Sequence, residues 1–232
     1  MRCLQVEAGA MHTSFKGVLF DFDGVIADTE RHNADYLAAA LAVHGVMLSA
    51  AERLALVGLN TRSMLENLTA RASDGLTVEQ LQAERRARGN YYEDGKELAP
   101  MPGAVMLLQR LRRAGVKIGL VSSTRTQLII AALNRLKLTD RFDVIVCGDM
   151  VEHHKPAPDG YRKALSLLEL CAEECIVVED SPVGIRAAQS AGLAVIAYKG
   201  GEIRQDTAHA EYSAASFEEC TALLFGGARD LV

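Results

Sequence analysis

The hydrophobic pattern changes character twice along the chain. The run Lys16-Gly17-Val18-Leu19-Phe20-Asp21 is short, apolar and closed by an acid, and Phe22-Asp23-Gly24 follows it. This predicts a buried strand running into a turn. From Thr29 to about Lys96 the strand pattern disappears, and segments such as 34–43 and 63–71 carry helical periodicity, rich in Ala, Leu, Glu and Arg. Pro100 and Pro102-Gly103 break that pattern. Beyond them, strand-like runs at 116–121, 144–147, 175–179 and 194–197 alternate with helical segments near 126–136, 158–170 and 183–191. Such spacing belongs to right-handed βαβ units. The predicted fold is α/β, a doubly wound parallel sheet with a helical unit inserted after its first strand. The predicted core is 1–28 and 99–232, and the predicted insertion 29–98.

Composition narrows the function classes. A chain of 232 residues, 49% of them hydrophobic, is long enough to bury a substantial core. The net charge is −5, with both signs spread along the sequence, so the basic stripe that nucleic-acid binding requires is missing. Five irregularly placed cysteines read as reduced thiols in a cytoplasmic protein. Residues Met1 to Ser14 lack the apolar run of a signal peptide and read as a frayed extension, and no stretch has the length of a membrane span. A monomer is the favoured state.

In an open parallel sheet the ligand crevice lies outside the carboxyl ends of the strands. The first predicted strand ends in Asp21 and Asp23, the second in Ser122, Ser123 and Thr124, the third leads to Lys155-Pro156, and the fourth ends in Glu179-Asp180-Ser181. Acids, hydroxyls and an ammonium thus converge on one edge. Asp21 and Asp23 alternate around Phe22, so both carboxylates can face the crevice while Phe22 packs below. Ser122 also suits a helix N-cap, and Ser181-Pro182 suits a cap with Pro in the first helical position.

Asp21-Phe22-Asp23-Gly24-Val25, the Ser122 strand end, Lys155-Pro156-Ala157-Pro158-Asp159 and Glu179-Asp180-Ser181 resemble the motifs of the haloacid dehalogenase superfamily. Asp28-Thr29-Glu30 and the helical insertion resemble the branch containing β-phosphoglucomutase and many sugar-phosphate phosphatases, whose Rossmann-like core carries a small helical cap. The resemblance implies that Asp21 is a nucleophile forming an aspartyl-phosphate and that Asp23 is the general acid and base. It also implies that Ser122 and Lys155 steady the phosphoryl oxygens. Asp21, Asp180 and Glu179, with the Asp23 backbone carbonyl, would hold Mg²⁺, a hard cation that prefers oxygen ligands. The substrate would be a small phosphorylated metabolite.

Gly58-Leu59-Asn60-Thr61-Arg62 resembles the mutase segment that holds a second phosphate, with Arg62 as the clamp, and Ser123, Thr124 and Arg125 look like further substrate contacts. The mutases, however, carry a histidine five residues after the acid that opens the cap, and counting from Asp28 gives Asn33, with His32 one position off. Asn cannot relay protons as imidazole does. A phosphatase therefore leads, a phosphomutase comes second, and a non-catalytic phosphometabolite-binding protein third. Dehalogenase action is disfavoured because Asp23 is present. Cys171 and Cys175 lack the further ligands of a zinc site, the adjacent side chains of His153 and His154 diverge, and Arg85, Arg86, Arg88 and Lys96 form a basic patch that either attracts an anion or solvates a helix.

Overall fold

The computed structural model describes residues 15–56, 62–95, 98–201 and 207–226, with the side chains of 30–33 and 54–55 outside that description. The expected extension at the N-terminus, the Gly58 to Thr61 part of the cap segment, Lys96 and the side chains of His32 and Asn33 lie outside the described residues.

β1 (Gly17–Phe20) is apolar and buried along its whole length, as a central parallel strand covered on both faces must be. It pairs in parallel with β2 (Lys117–Val121) on one side and β4 (Cys175–Glu179) on the other. β3 (Val144–Val146), β5 (Ala194–Tyr198) and β6 (Tyr212–Ala214) complete a six-stranded sheet ordered β3-β2-β1-β4-β5-β6. Every pairing in it is parallel. The chain goes to opposite sides of β1 for β2 and β4, so the topological switch point lies there, and the crevice opens at the ends carrying Asp21, Ser122 and Glu179.

Alternate residues of the strands feed two apolar layers. Val18, Phe20, Ile118, Leu120, Ile176 and Val178 join one cluster, while Leu19, Val121 and Val177 join the other. On the second face α8 (Asp159–Leu168) buries Tyr161, Ala164, Leu165 and Leu168, the i, i+3, i+4, i+7 stripe of an amphipathic helix. α7 (Thr126–Leu136) has the predicted bounds and α9 (Pro182–Ser190) nearly so. Among the elements that the periodicity does not predict are a helix behind Pro102-Gly103, a sixth strand and the helix that follows it. The break at Pro102-Gly103 is a turn in which Gly103, at φ 84, is the N-cap of α6 (Ala104–Arg113), whose Ala104, Leu107, Leu108 and Leu111 are buried. β6 has only three residues, too few to show an alternation, and α10 (Phe217–Phe225) follows it.

The helices between β1 and β2 begin with α1 (Glu30–Val43), α2 (Ala50–Ala55), α3 (Arg62–Thr69) and α4 (Val78–Ala87). They enclose a separate apolar cluster that includes Leu37, Leu41, Leu65, Leu68 and Leu81. The short helix α5 (Tyr91–Asp94) behaves differently, because its Tyr92 packs in the cluster of the sheet, 6.2 Å from the Phe22 ring. Packing thus changes allegiance near residue 90, ahead of the boundary at 98 that the Pro residues suggest.

A histidine ties this helical block together. His44 Nδ1 lies 2.6 Å from Asp74 and Nε2 3.0 Å from Glu84. With a carboxylate on each nitrogen both must carry protons, and Asp74 first, then Glu84, raises the imidazole pKa. A raised folded value means that the stabilisation is complete below the unfolded pKa and is lost as pH rises through the folded one. The difference in melting temperature between the wild type and His44→Asn should therefore be full below the ordinary value of ~6.5 and shrink as pH rises above it. A difference that stays constant as pH rises would show that the contact does not depend on charge.

Candidate active site

The site is organised around one buried cation. Lys155 Nζ reaches Asp21 Oδ1 at 2.5 Å, Glu179 Oε1 at 2.7 Å and the Val121 carbonyl at 3.0 Å. All three side chains are at most one-tenth exposed. Asp21 is held at the strand end by its own N–H, which donates to the Val178 carbonyl. Burial pushes the Asp21 carboxyl up against the pull of Lys155, and Glu179 and Asp23 add to the rise. Burial opposes the charge on Lys155, but Asp21 and Glu179 together outweigh it and raise the ammonium pKa. One cation thus serves two buried acids, which leaves the cluster short of positive charge. The Tyr161 ring lies 5.2 Å from Lys155 Nζ, and its hydroxyl points at Glu179 from 3.5 Å, a favourable seat for an ammonium.

Asp23 sits in a cage of hydroxyls. Its Oδ1 accepts from Thr29 and, at 2.6 Å, from Tyr92, while Oδ2 accepts from Thr124 at 3.1 Å. The Tyr92 and Thr124 oxygens are 3.3 Å apart. The donors come from the segment leaving β1, from α5 and from the loop after β2, so the carboxylate is fixed from three directions. Ser122 Oγ accepts from the Thr124 N–H at 3.0 Å. It therefore closes a turn in place of the helix cap considered for it, and Arg125 takes the N-cap position of α7 without a side-chain bond to the helix.

Asp180 completes the acidic edge. Ligand atoms of Asp21, Glu179 and Asp180 all lie within 4.8 Å of one another. Gly24, at φ 76, passes so close to Asp180 that a Cβ there would overlap its carboxylate, and Gly184 stands in the same relation to Glu179. Hard oxygen donors, a deficit of positive charge and a backbone that makes room for the acids fit a divalent cation. Glu179 is engaged at both carboxylate oxygens. Its Oε1 meets Lys155, and its Oε2 accepts from the Ser181 N–H at 2.8 Å and hydroxyl at 3.0 Å. Ser181 in turn caps α9, accepting from Gly184 N–H at 3.1 Å, with Pro182 next.

The structure therefore brings together Asp21, Asp23, Ser122, Thr124, Lys155, Glu179 and Asp180. Ser123 and Arg125 are exposed on the same loop. Arg62 lies on an exposed face at the start of α3, bound to Glu66 at 2.9 Å and Glu79 at 3.0 Å. His153 bonds Asp159 at 3.0 Å, and Cys171 and Cys175 are free thiols. Thr29, Tyr92 and Tyr161 carry no assigned role in the sequence reading. Thr29 stood within the quoted Asp28-Thr29-Glu30, six residues from Asp23; nothing in the spacing pointed to Tyr92.

Comparison with known proteins agrees with this arrangement. A family model described as haloacid dehalogenase-like hydrolase matches residues 18–198. The validoxylamine A 7'-phosphate phosphatase of Streptomyces hygroscopicus subsp. limoneus is 31% identical over 77% of this chain and 83% of its own. The fructose-1-phosphate phosphatase YqaB of Escherichia coli is 29% identical over 79% of this chain and 96% of its own. Among solved structures, a CbbY variant from Rhodobacter sphaeroides in complex with xylulose-(1,5)bisphosphate superimposes with a TM-score of 0.74 at 28% identity, covering 88% of this chain and 96% of that one. The order of the strand-end residues and the fold built around them lead to one conclusion: the chain belongs to the haloacid dehalogenase-like hydrolases, in a branch shared with phosphatases of phosphorylated carbohydrates.

Proposed function

We propose that the protein is a Mg²⁺-dependent phosphatase of a small phosphorylated metabolite, a sugar phosphate by class, working through an aspartyl-phosphate on Asp21. The observation that carries this reading is the Lys155-bridged pair Asp21 and Glu179, with the caged Asp23 two residues along the chain. In the first step an Asp21 carboxylate oxygen bonds to phosphorus as the bond to the substrate's alcohol oxygen breaks, and Asp23 gives that oxygen its proton. In the second step Asp23 takes a proton from water, whose oxygen attacks phosphorus. Inorganic phosphate leaves, and Asp21 is restored. Lys155, with the Ser122 hydroxyl, would balance charge on the transferred oxygens, a large share of the catalysis of phosphoryl transfer. Asp21, Asp180 and the Asp23 carbonyl would hold Mg²⁺, which when bound adds positive charge at the phosphoryl oxygens. Residues 29–98 would serve as the cap that selects the substrate. The free thiols among the described cysteines support a reducing, cytoplasmic setting.

Arg62 favours hydrolysis over a mutase reaction. A mutase must grip the second phosphate of a bisphosphate and exclude water while it turns, while Arg62 stands exposed with Glu66 and Glu79 as its partners. The test is a screen of phosphate release from fructose 1-phosphate, glucose 6-phosphate, nucleotides and short phosphorylated acids, with and without Mg²⁺. In parallel, β-glucose 1-phosphate with a trace of the 1,6-bisphosphate is assayed for glucose 6-phosphate. Mg²⁺-dependent release from at least one sugar phosphate is expected to exceed isomerisation. Glucose 6-phosphate formed many times faster than any release would overturn hydrolysis in favour of the mutase.

A further inference from the structure

The hydroxyl that reaches Asp23 from α5 belongs to a helix whose backbone is gripped by an exposed arginine of α7. Arg135, on α7, donates from Nη1 to the carbonyls of Tyr91 at 3.3 Å and Tyr92 at 3.1 Å, and from Nη2 to the Gly95 carbonyl. These carbonyls lie on and just beyond a four-residue helix, near whose C-terminal end a cation is favoured; the Tyr91 carbonyl also accepts from the Gly95 N–H at 3.1 Å and the Gly95 carbonyl from the Leu98 N–H at 3.3 Å. Gln127, also on α7, donates to Glu93 at 3.0 Å. Asn90 caps the other end by accepting from the Glu93 N–H at 3.0 Å. A helix this short has no stability of its own, so its placement comes from α7 and from the Tyr92 ring buried beside Phe22.

We infer that Arg135 is a positioning residue for the reaction: it fixes α5 against the core so that the Tyr92 hydroxyl orients the Asp23 carboxylate for proton transfer. The inference rests on the reading of Asp23 as the acid and base. Its physical content is a chain of contacts from Arg135 through the α5 backbone to Tyr92 and then to Asp23. Loss of the guanidinium removes the three hydrogen bonds that tie the α5 backbone to α7 and loosens the helix. Loss of the phenol leaves Asp23 with Thr29 and Thr124 as its hydroxyl donors among the described residues. Either change lets the carboxylate drift, and errors near 1 Å are enough to slow a reaction strongly.

The test uses two esters that differ in their need for an acid. The alkyl leaving group of fructose 1-phosphate must be protonated as it departs, whereas p-nitrophenolate leaves unaided. kcat/KM reports the first transfer. Asp23→Asn, Tyr92→Phe, Arg135→Ala, Arg135→Lys and the pair Tyr92→Phe/Arg135→Ala are compared on both esters, and melting curves identify the folded variants. Tyr92→Phe and Arg135→Ala are expected to lower kcat/KM on fructose 1-phosphate ~10-fold and on p-nitrophenyl phosphate by far less, and the pair should lose little more than either alone. If Arg135→Ala does not fold, Arg135→Lys, which keeps the cation without the fork, should show the same preference in smaller measure. The positioning role is overturned if the Arg135 variants slow both esters equally or neither, or if their loss multiplies with that of Tyr92→Phe, while Asp23→Asn still discriminates between the esters. Failure of Asp23→Asn to discriminate would instead remove the acid and base reading, and this role with it.

Discussion

Replacing Asp21 by Asn is expected to cut phosphate release by roughly 10⁴–10⁶-fold, the scale of losing a covalent nucleophile, with the fold retained. An amide is a poor nucleophile and carries no charge to offset a divalent cation. The fold should survive because Lys155 keeps Glu179 as a partner at 2.7 Å and the Val121 carbonyl at 3.0 Å. Burial already works against the Asp21 charge, so its removal relieves one desolvated carboxylate. The check pairs steady-state phosphate release on contamination-free protein with a melting curve. Release within tenfold of wild type, given ~1.4 kcal/mol per decade, would exclude Asp21 as the nucleophile.

Lys155→Met should damage both stability and activity. Methionine has nearly the length of lysine but no charge, so Asp21 and Glu179 face each other in a buried site without their shared cation. Breaking a buried pair from one side costs ~3–5 kcal/mol, which for a chain of this size is a fall in melting temperature of roughly 6–20 °C. Activity should fall by about 10²–10³-fold or more, the loss typical of removing one preorganised stabiliser of transition-state charge. Calorimetry and phosphate release on the same preparation separate the two effects. A melting temperature within about 2 °C of wild type, less than 1 kcal/mol by the same scaling, would mean that Lys155 is not the electrostatic keystone described here.

The residues that could be read from the sequence share a property. Asp21, Ser122 and Glu179-Asp180 stand at the ends of apolar runs, and Lys155 follows the third such run, so strand order alone carries them to one edge. Tyr92 and Arg135 could not be read in this way. They reach Asp23 through packing of a four-residue helix on α7, and neither periodicity nor motif marks a helix so short. Arg62 could be read in two ways. Its resemblance to a phosphate clamp was visible, but so was Glu66 four residues on, the spacing of a helical ion pair, and that pair is what forms. At Pro102-Gly103 the sequence shows a break in the helical pattern, and the amphipathic stripe of α6 begins immediately behind it.

The central claim, that the phosphoryl group passes onto Asp21, is tested most directly by trapping it there. The protein is mixed with Mg²⁺ and saturating p-nitrophenyl phosphate, whose fast first transfer lets the intermediate accumulate. It is then denatured by rapid quench, reduced with borohydride, which converts an acyl phosphate to an alcohol, and mapped by peptide mass. The expected result is homoserine at position 21, in an amount that rises with the initial burst of p-nitrophenolate and is absent in Asp21→Asn. Reduction at any other acid, or a burst with position 21 left unmodified, would contradict the assignment.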